Sequence, residues 1–226
     1  MQAVNDLPVC VRAFRNYEII YTDFSKSQQD ELISGRSYMS KIIMEKPNVL
    51  NNYSNLGFQS YYCALEEKDL MNKLYFDGIR LGQLLDDVRL AEPVIRDADI
   101  LGIDMKCLSW ESIADPLNGN PNGFDSRSIC AISRYAGISD RLSFLGLYEL
   151  ISTPMMSKLL AQMIWYFIEG VQYRFDEYPV NINEGFLKYN VALSNQNLVF
   201  FRSQTSDRWW MEITNDSHLD LSLIHI

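Results

Sequence analysis

At 226 residues, 47% hydrophobic and 12% aromatic, the chain is long enough for one sizeable core and short for two full domains. A net charge of −9 with no local cluster of lysine and arginine argues against a nucleic-acid surface. No segment reads as a membrane span, and the first twenty residues have neither a basic start nor an uninterrupted apolar stretch, so a cytoplasmic chain without a membrane partner is expected.

In chain order, "YEIIYTD" (17–23) reads as a short strand closing on Asp23, and "QDELISGRSYMSKIIMEK" (29–46) as a helix with apolar spacing at Leu32, Tyr38, Met39, Ile42 and Ile43. Extended character returns from Tyr53 to Gln59. "EEKDLMNKLYF" and "IRLGQLLDDVRLAEPVIRD" read as amphipathic helices, the second interrupted at Pro93, because proline lacks the amide donor and disfavours helix just before it. "ADILGIDM" is a buried strand ending on Asp104, and "CLSWESIADPLNGNPNG" is a long ordered loop rich in turn residues.

"FDSRSICAISRYAG" reads as a helix capped by Asp125 or Ser126 and closed by Gly137. "RLSFLGLYELI" is a near-continuous apolar strand. "MSKLLAQMIWYFIEGVQYRF" is the most hydrophobic helix, expected to pack on the sheet over most of its circumference. Strands alternating with helices, and apolar on both faces, predict a parallel α/β sheet covered on each side. "KYNVALSNQNLVFFRSQTSDRWWMEI" then predicts an antiparallel hairpin turning at Ser194 to Asn197, followed by an aromatic strand. Trp209 and Trp210 there either pack this extension onto the domain or form a patch for a partner. The final "LDLSLIHI" shows no pattern linking it to that strand, and it is set aside from the fold reading as a candidate non-native end.

Cys10, Cys63, Cys107 and Cys130 lack metal or disulfide spacing and read as free thiols in a reducing compartment. Asp23, Asp104 and Glu149 each fall at or near a strand's C-terminal end, the edge where open α/β sheets bind ligands. Acids also cap the helices that follow strands, so the triplet alone decides nothing. The only histidines, His218 and His225, lie beyond the last clear strand. Lys106, two residues after Asp104, either extends its ammonium to solvent or pairs with that acid. No GxSxG, Walker, GxGxxG or HExxH motif is present, which removes the usual serine-hydrolase, NTPase, dinucleotide and zincin readings.

"ADILGIDMKCLSWESIADPLNGNPNGF", "ICAISRYAGISDRLSFLGLYELI" and "LLAQMIWYFIEG", with the later "DRWWME", together resemble the arginase/agmatinase/formimidoylglutamase (ureohydrolase) family, in particular a Bacteroidetes-type formimidoylglutamase or arginase-like branch. The resemblance spans about Tyr17 to Glu212. It implies a three-layer α/β/α domain around a mainly parallel sheet, here over residues 1–180 and lacking N-terminal strands, with a C-terminal β-hairpin extension over 181–213 and a tail over 214–226. It also implies Mn2+ as cofactor, hydrolysis of a linear amidine or guanidine C–N bond by a metal-bridging hydroxide, a homo-oligomer, and a formiminoglutamate-, arginine- or agmatine-type substrate.

Carried over by position, Asp23 resembles the first acid of the family's Asp-Ala-His-x-Asp segment, Asp104 the first of its Asp-x-Asp segment, and Glu149 the acid that helps bind guanidinium. Asn118, Asn120, Asn122 and Gly123 fall in the family's pocket loop. Ser25 and Ser27 stand where the pattern has histidine and acid, Lys106 stands where it has the second acid, and an upstream Gly-Gly-Asp-His segment is not found. The chain is therefore expected to be a fragment. Two function readings stay open: a manganese amidine hydrolase, or a ureohydrolase-fold protein with a degenerate metal site that acts in binding, assembly or regulation.

Overall fold

The computed structural model describes residues 9–14, 50–63, 65–117, 119–177, 185–192, 197–215 and 218–223. The expected strand at 17–23 and helix at 29–46 lie outside the described residues, as do Asp23, Ser25, Ser27 and Asn118.

Five parallel strands form the first sheet: β1 (Val9–Phe14), β2 (Leu50–Phe58), β3 (Asp77–Arg80), β4 (Ile100–Asp104) and β5 (Phe144–Tyr148), in the order β3-β2-β1-β4-β5. β1, which no sequence pattern announced, is the middle strand, and its last residue Phe14 pairs with Ile103. Helices α1 (Leu65–Lys73), α2 (Leu81–Asp86), α3 (Ala91–Arg96), α4 (Trp110–Ile113), α5 (Ser126–Ile138) and α6 (Pro154–Val171) connect and follow the strands. The α/β architecture expected from the alternation is present.

The predicted break at Pro93 falls elsewhere. The chain bends at Asp87, which caps a short 3-10 turn by accepting the Arg89 amide, and Pro93 lies inside the first turn of α3. An amide there has no intrahelical acceptor, so a proline costs little. Ahead of that bend, Asp77–Arg80 forms β3, so the helix read from Ile79 starts only at Leu81.

Asp125 caps α5 as expected, accepting the Ser128 amide at 2.7 Å. Gly137 does not close the helix, however, since Ser139 is its C-cap. It serves the crossing of α5 and α6 instead: a Cβ on Gly137 would lie 2.2 Å from the Phe167 carbonyl, and one on Gly170 would lie 2.5 Å from the Arg134 carbonyl. Backbone meets backbone there, which only glycine permits.

α6 buries Met156, Leu159, Met163 and Gly170 against this crossing and the core. The expectation that it would be covered over most of its circumference fails, because Ile164, Trp165 and Ile168 are 47%, 61% and 54% exposed. β5 is likewise covered on one face only. Leu145 and Leu147 pack on the core, while Phe144 and Tyr148 stand about half exposed on the other face at 51% and 52%.

Four antiparallel strands form the second sheet: β6 (Phe186–Ala192), β7 (Asn197–Ser203), β8 (Trp209–Asn215) and β9 (His218–Leu223), in sequence order. The predicted hairpin is β6–β7 and the aromatic strand is β8. The tail does join the fold, since β9 pairs with β8 from Trp210↔Leu223 to Asn215↔His218. Leu219, Leu221 and Leu223 alternate with polar residues, the period-2 signal that the reading of the tail had passed over. Trp210 is buried, stacks edge-on against Phe186 and lies under the Arg96 guanidinium, so packing and not partner display is its role. No helix among the described residues is long and apolar enough to cross a membrane.

Candidate functional site

β4 and β5 run side by side with Asp104 paired to Tyr148, so Asp104 and Glu149 emerge at neighbouring strand ends. Asp104 is buried, and its Oδ1 accepts the Lys106 amide at 3.0 Å, which turns the chain into the 3-10 turn Met105–Cys107. That turn sends the Lys106 side chain across to Glu149, where Nζ lies 3.0 Å from Oε2. Of the two fates that the sequence left open for Lys106, neither is the whole account: its ammonium pairs with the acid of the next strand.

Glu149 has φ 55°, in the left-handed region that a non-glycine residue adopts at a cost of about 1–3 kcal/mol. Beside it, the Tyr148 ring folds back over the sheet, within 3.2 Å of where a Cβ on Gly102 would stand and 2.5 Å of one on Gly146. The two glycines therefore clear the floor next to Asp104.

The loop that holds Asn120, Asn122 and Gly123 lies beside this edge. Asn120 is held by backbone bonds to Leu108 and Trp110, its Oδ1 accepts the Tyr62 hydroxyl at 3.4 Å, and its Nδ2 faces the Lys106 carbonyl at 3.5 Å. The Asn122 side chain donates to Gln59 Oε1 at 3.4 Å, and its carbonyl accepts the Gln59 amide. Gly123 is buried and supplies space, since a Cβ there would lie 2.5 Å from the Ser109 nitrogen. Gln59 and Tyr62 escaped the sequence reading. The signal that could have found them is "GFQSYY", polar and aromatic residues directly after a strand pointing to the ligand edge.

Cys107 sits beneath this edge, wholly buried, and burial together with the Asp104 charge pushes its thiol far above the usual range. It is a core residue and no nucleophile. Of the four cysteines expected to be free thiols, Cys107 and Cys130 are buried and unbridged.

A two-manganese centre needs several carboxylate or imidazole ligands, with the ions roughly 3.5–4 Å apart. Among the described residues no three His, Cys, Asp or Glu side chains converge. One oxygen of Asp104 caps its own turn, and the Lys106 ammonium lies against Glu149. A cation is already in place at this edge, so the described residues do not fit a pair of dications.

Compared by sequence, the chain matches no family model and no curated protein. Compared by structure, it aligns with an arginase superfamily protein from Trypanosoma cruzi at TM-score 0.64 and 12% identity, over 74% of this chain and 58% of that one. The fold is arginase-like.

Formimidoylglutamase from Bacillus subtilis aligns at TM-score 0.56 and 12% identity, over 73% of this chain and 54% of that one. Agmatine ureohydrolase from Thermoplasma volcanium aligns at 0.54 and 13%, over 76% and 58%. A Trypanosoma cruzi formiminoglutamase structure with Mn2+ aligns at 0.62 and 12%, over 74% and 58%. The chain thus spans somewhat more than half the length of these structures.

Proposed function

We propose that this arginase-like chain is a member of the formimidoylglutamase and arginase group in which the two-metal amidine-hydrolysing centre is dismantled, and that its sheet edge acts in binding or regulation. The observation that carries this reading is the Lys106–Glu149 pair at 3.0 Å. In an amidine hydrolase an acid at this place would take the substrate's cation. Here the chain's own lysine takes that seat, so Glu149 is bound from within.

A second reading, an active manganese hydrolase of formiminoglutamate, arginine or agmatine, is favoured by Asp104 and Glu149 keeping neighbouring strand ends and by the manganese in a fold neighbour. Measuring metal content and turnover together separates the two. Full-length chain purified without chelators and loaded with Mn2+ is expected to retain far less than one ion per chain and to release neither urea nor formamide. Two tightly held manganese ions with turnover would overturn the proposal.

A further inference from the structure

The helix ends that feed β4 and β5 lie opposite the edge of Asp104 and Glu149, and a cleft of about 430 Å³ opens there. It is walled by α3, α5, the segment after α6 and the turn that joins β7 to β8. Its volume falls in the range of small-molecule sites. The guanidiniums of Arg96, Arg134 and Arg208 line it, together with the rings of Tyr173, Phe175 and Trp209.

The three guanidiniums differ in what they have left to give. Arg208 and Arg96 are 8% and 10% exposed and are spent on acids, Arg208 Nη1 on Asp140 at 3.2 Å and Arg96 Nε on Glu92 at 2.9 Å. They make a fixed floor. Arg134, 36% exposed, stands at the rim, where Nε donates to Glu169 at 2.7 Å and the guanidinium lies 5.4 Å from the centre of the Tyr173 ring. Among the described residues this is its only hydrogen bond, so Nη1 and Nη2 are positioned donors with no acceptor. The opposite rim is fixed as well. Ser203 Oγ accepts the Thr205 and Ser206 amides at 3.0 Å each and donates to Glu177 at 2.6 Å, and the Ser206 hydroxyl donates to the same carboxylate. A cleft held on both rims needs little ordering to receive a ligand, which lowers the cost of binding.

We infer that this cleft binds a small aromatic monocarboxylate, with its carboxylate on the Nη1 and Nη2 fork of Arg134 and its ring against Tyr173 and Phe175. Two parallel N–H donors match the two oxygens of a carboxylate in spacing and plane. Tyr173 and Phe175 are 46% and 44% exposed, which leaves aromatic surface for a flat apolar body beside that fork. Charge decides against a dianion. Glu92, Asp140 and Glu169 already answer Arg96, Arg208 and Arg134 one for one, and Arg202 holds Asp207 of the rim at 2.7 Å. A phosphate dianion would bring a charge that no cation meets, whereas one carboxylate can share the half-open Arg134 with Glu169. A neutral ring would leave the fork unused.

The inference is independent of the proposed function, which concerns the other end of the sheet, and is tested by calorimetry on the full chain with indole-3-acetate as probe. One molecule is expected to bind per chain, and the uncharged indole-3-acetamide to bind about tenfold more weakly, the worth of a charge-assisted hydrogen bond. Arg134→Gln should weaken indole-3-acetate by the same factor while leaving the affinity for the amide unchanged, a split that a merely structural role would not produce. Its circular dichroism spectrum should match that of the wild-type chain, since the Arg134 side chain is partly exposed. Tyr173→Leu should weaken both probes. Inorganic phosphate at equal concentration should displace neither. Absence of binding, equal affinity for acid and amide, an acid affinity that Arg134→Gln leaves intact, or displacement by phosphate would overturn the inference.

Discussion

The two ends of the parallel sheet hold ion pairs of the same chemistry in opposite surroundings. At the C-terminal edge, Lys106 and Glu149 have side chains 45% and 46% exposed. At the other end, where α3 and α5 run into β4 and β5, Arg208 is only 8% exposed and reaches Asp140 at 3.2 Å and Glu92 at 3.8 Å. It also donates to the Ile138 carbonyl at 3.1 Å, closing the end of α5 while anchoring the second sheet. The Arg96 Nε meets Glu92 at 2.9 Å in the same cluster. The buried end has no spare freedom, because every charge there depends on its partner for solvation. The open edge can trade partners at little cost, which suits a site.

Substitutions at the buried end should do the most damage. Arg208→Ala leaves Glu92 to Arg96 alone and Asp140 to the Phe175 and Asp176 amides, and is expected to lower stability by about 2–3 kcal/mol, read by denaturant unfolding. Gly170→Ala forces a methyl group onto the Arg134 carbonyl at the nearby helix crossing, with an expected loss of about 1–3 kcal/mol by the same measurement. At the open end, Asp125→Ala removes the cap of α5 and should cost about 1 kcal/mol, recovered in part by Asp125→Ser. Lys106→Ala should cost less than about 1 kcal/mol, and less still at high salt, because an exposed pair is screened. A large loss from Lys106→Ala, or a negligible one from Arg208→Ala, would erase the contrast between the two ends. The same Lys106→Ala chain sharpens the functional reading: calorimetry should detect agmatine binding that the wild-type chain lacks, as the Lys106 cation no longer competes for Glu149.

What the sequence revealed followed how local each signal was. β4, α5 with its Asp125 cap, and the β6–β7 hairpin rest on periodicity and on neighbouring residues, and their outlines were readable. β1 was not, because the charged Arg12 breaks the apolar run of a strand whose place is decided by pairing with β2 and β4. Asp104 and Glu149 could be picked out as strand-end acids, since that inference needs only strand direction. The Lys106–Glu149 pair could not, because it joins residues 43 apart through a turn geometry that no spacing rule encodes. Gly137 was misjudged for a related reason: a glycine near a helix end is equally consistent with a cap or a close crossing, and only the partner helix decides.

The glycine crossing of α5 and α6 also bears on how the molecule opens. Side chains that interdigitate can swing through rotamers and admit water one at a time, but two backbones in direct contact must separate together. Amide protons flanking Gly137 and Gly170 should therefore be among the slowest to exchange with deuterated solvent, and those at the Tyr148–Leu150 strand end, where the backbone is strained and exposed, among the fastest.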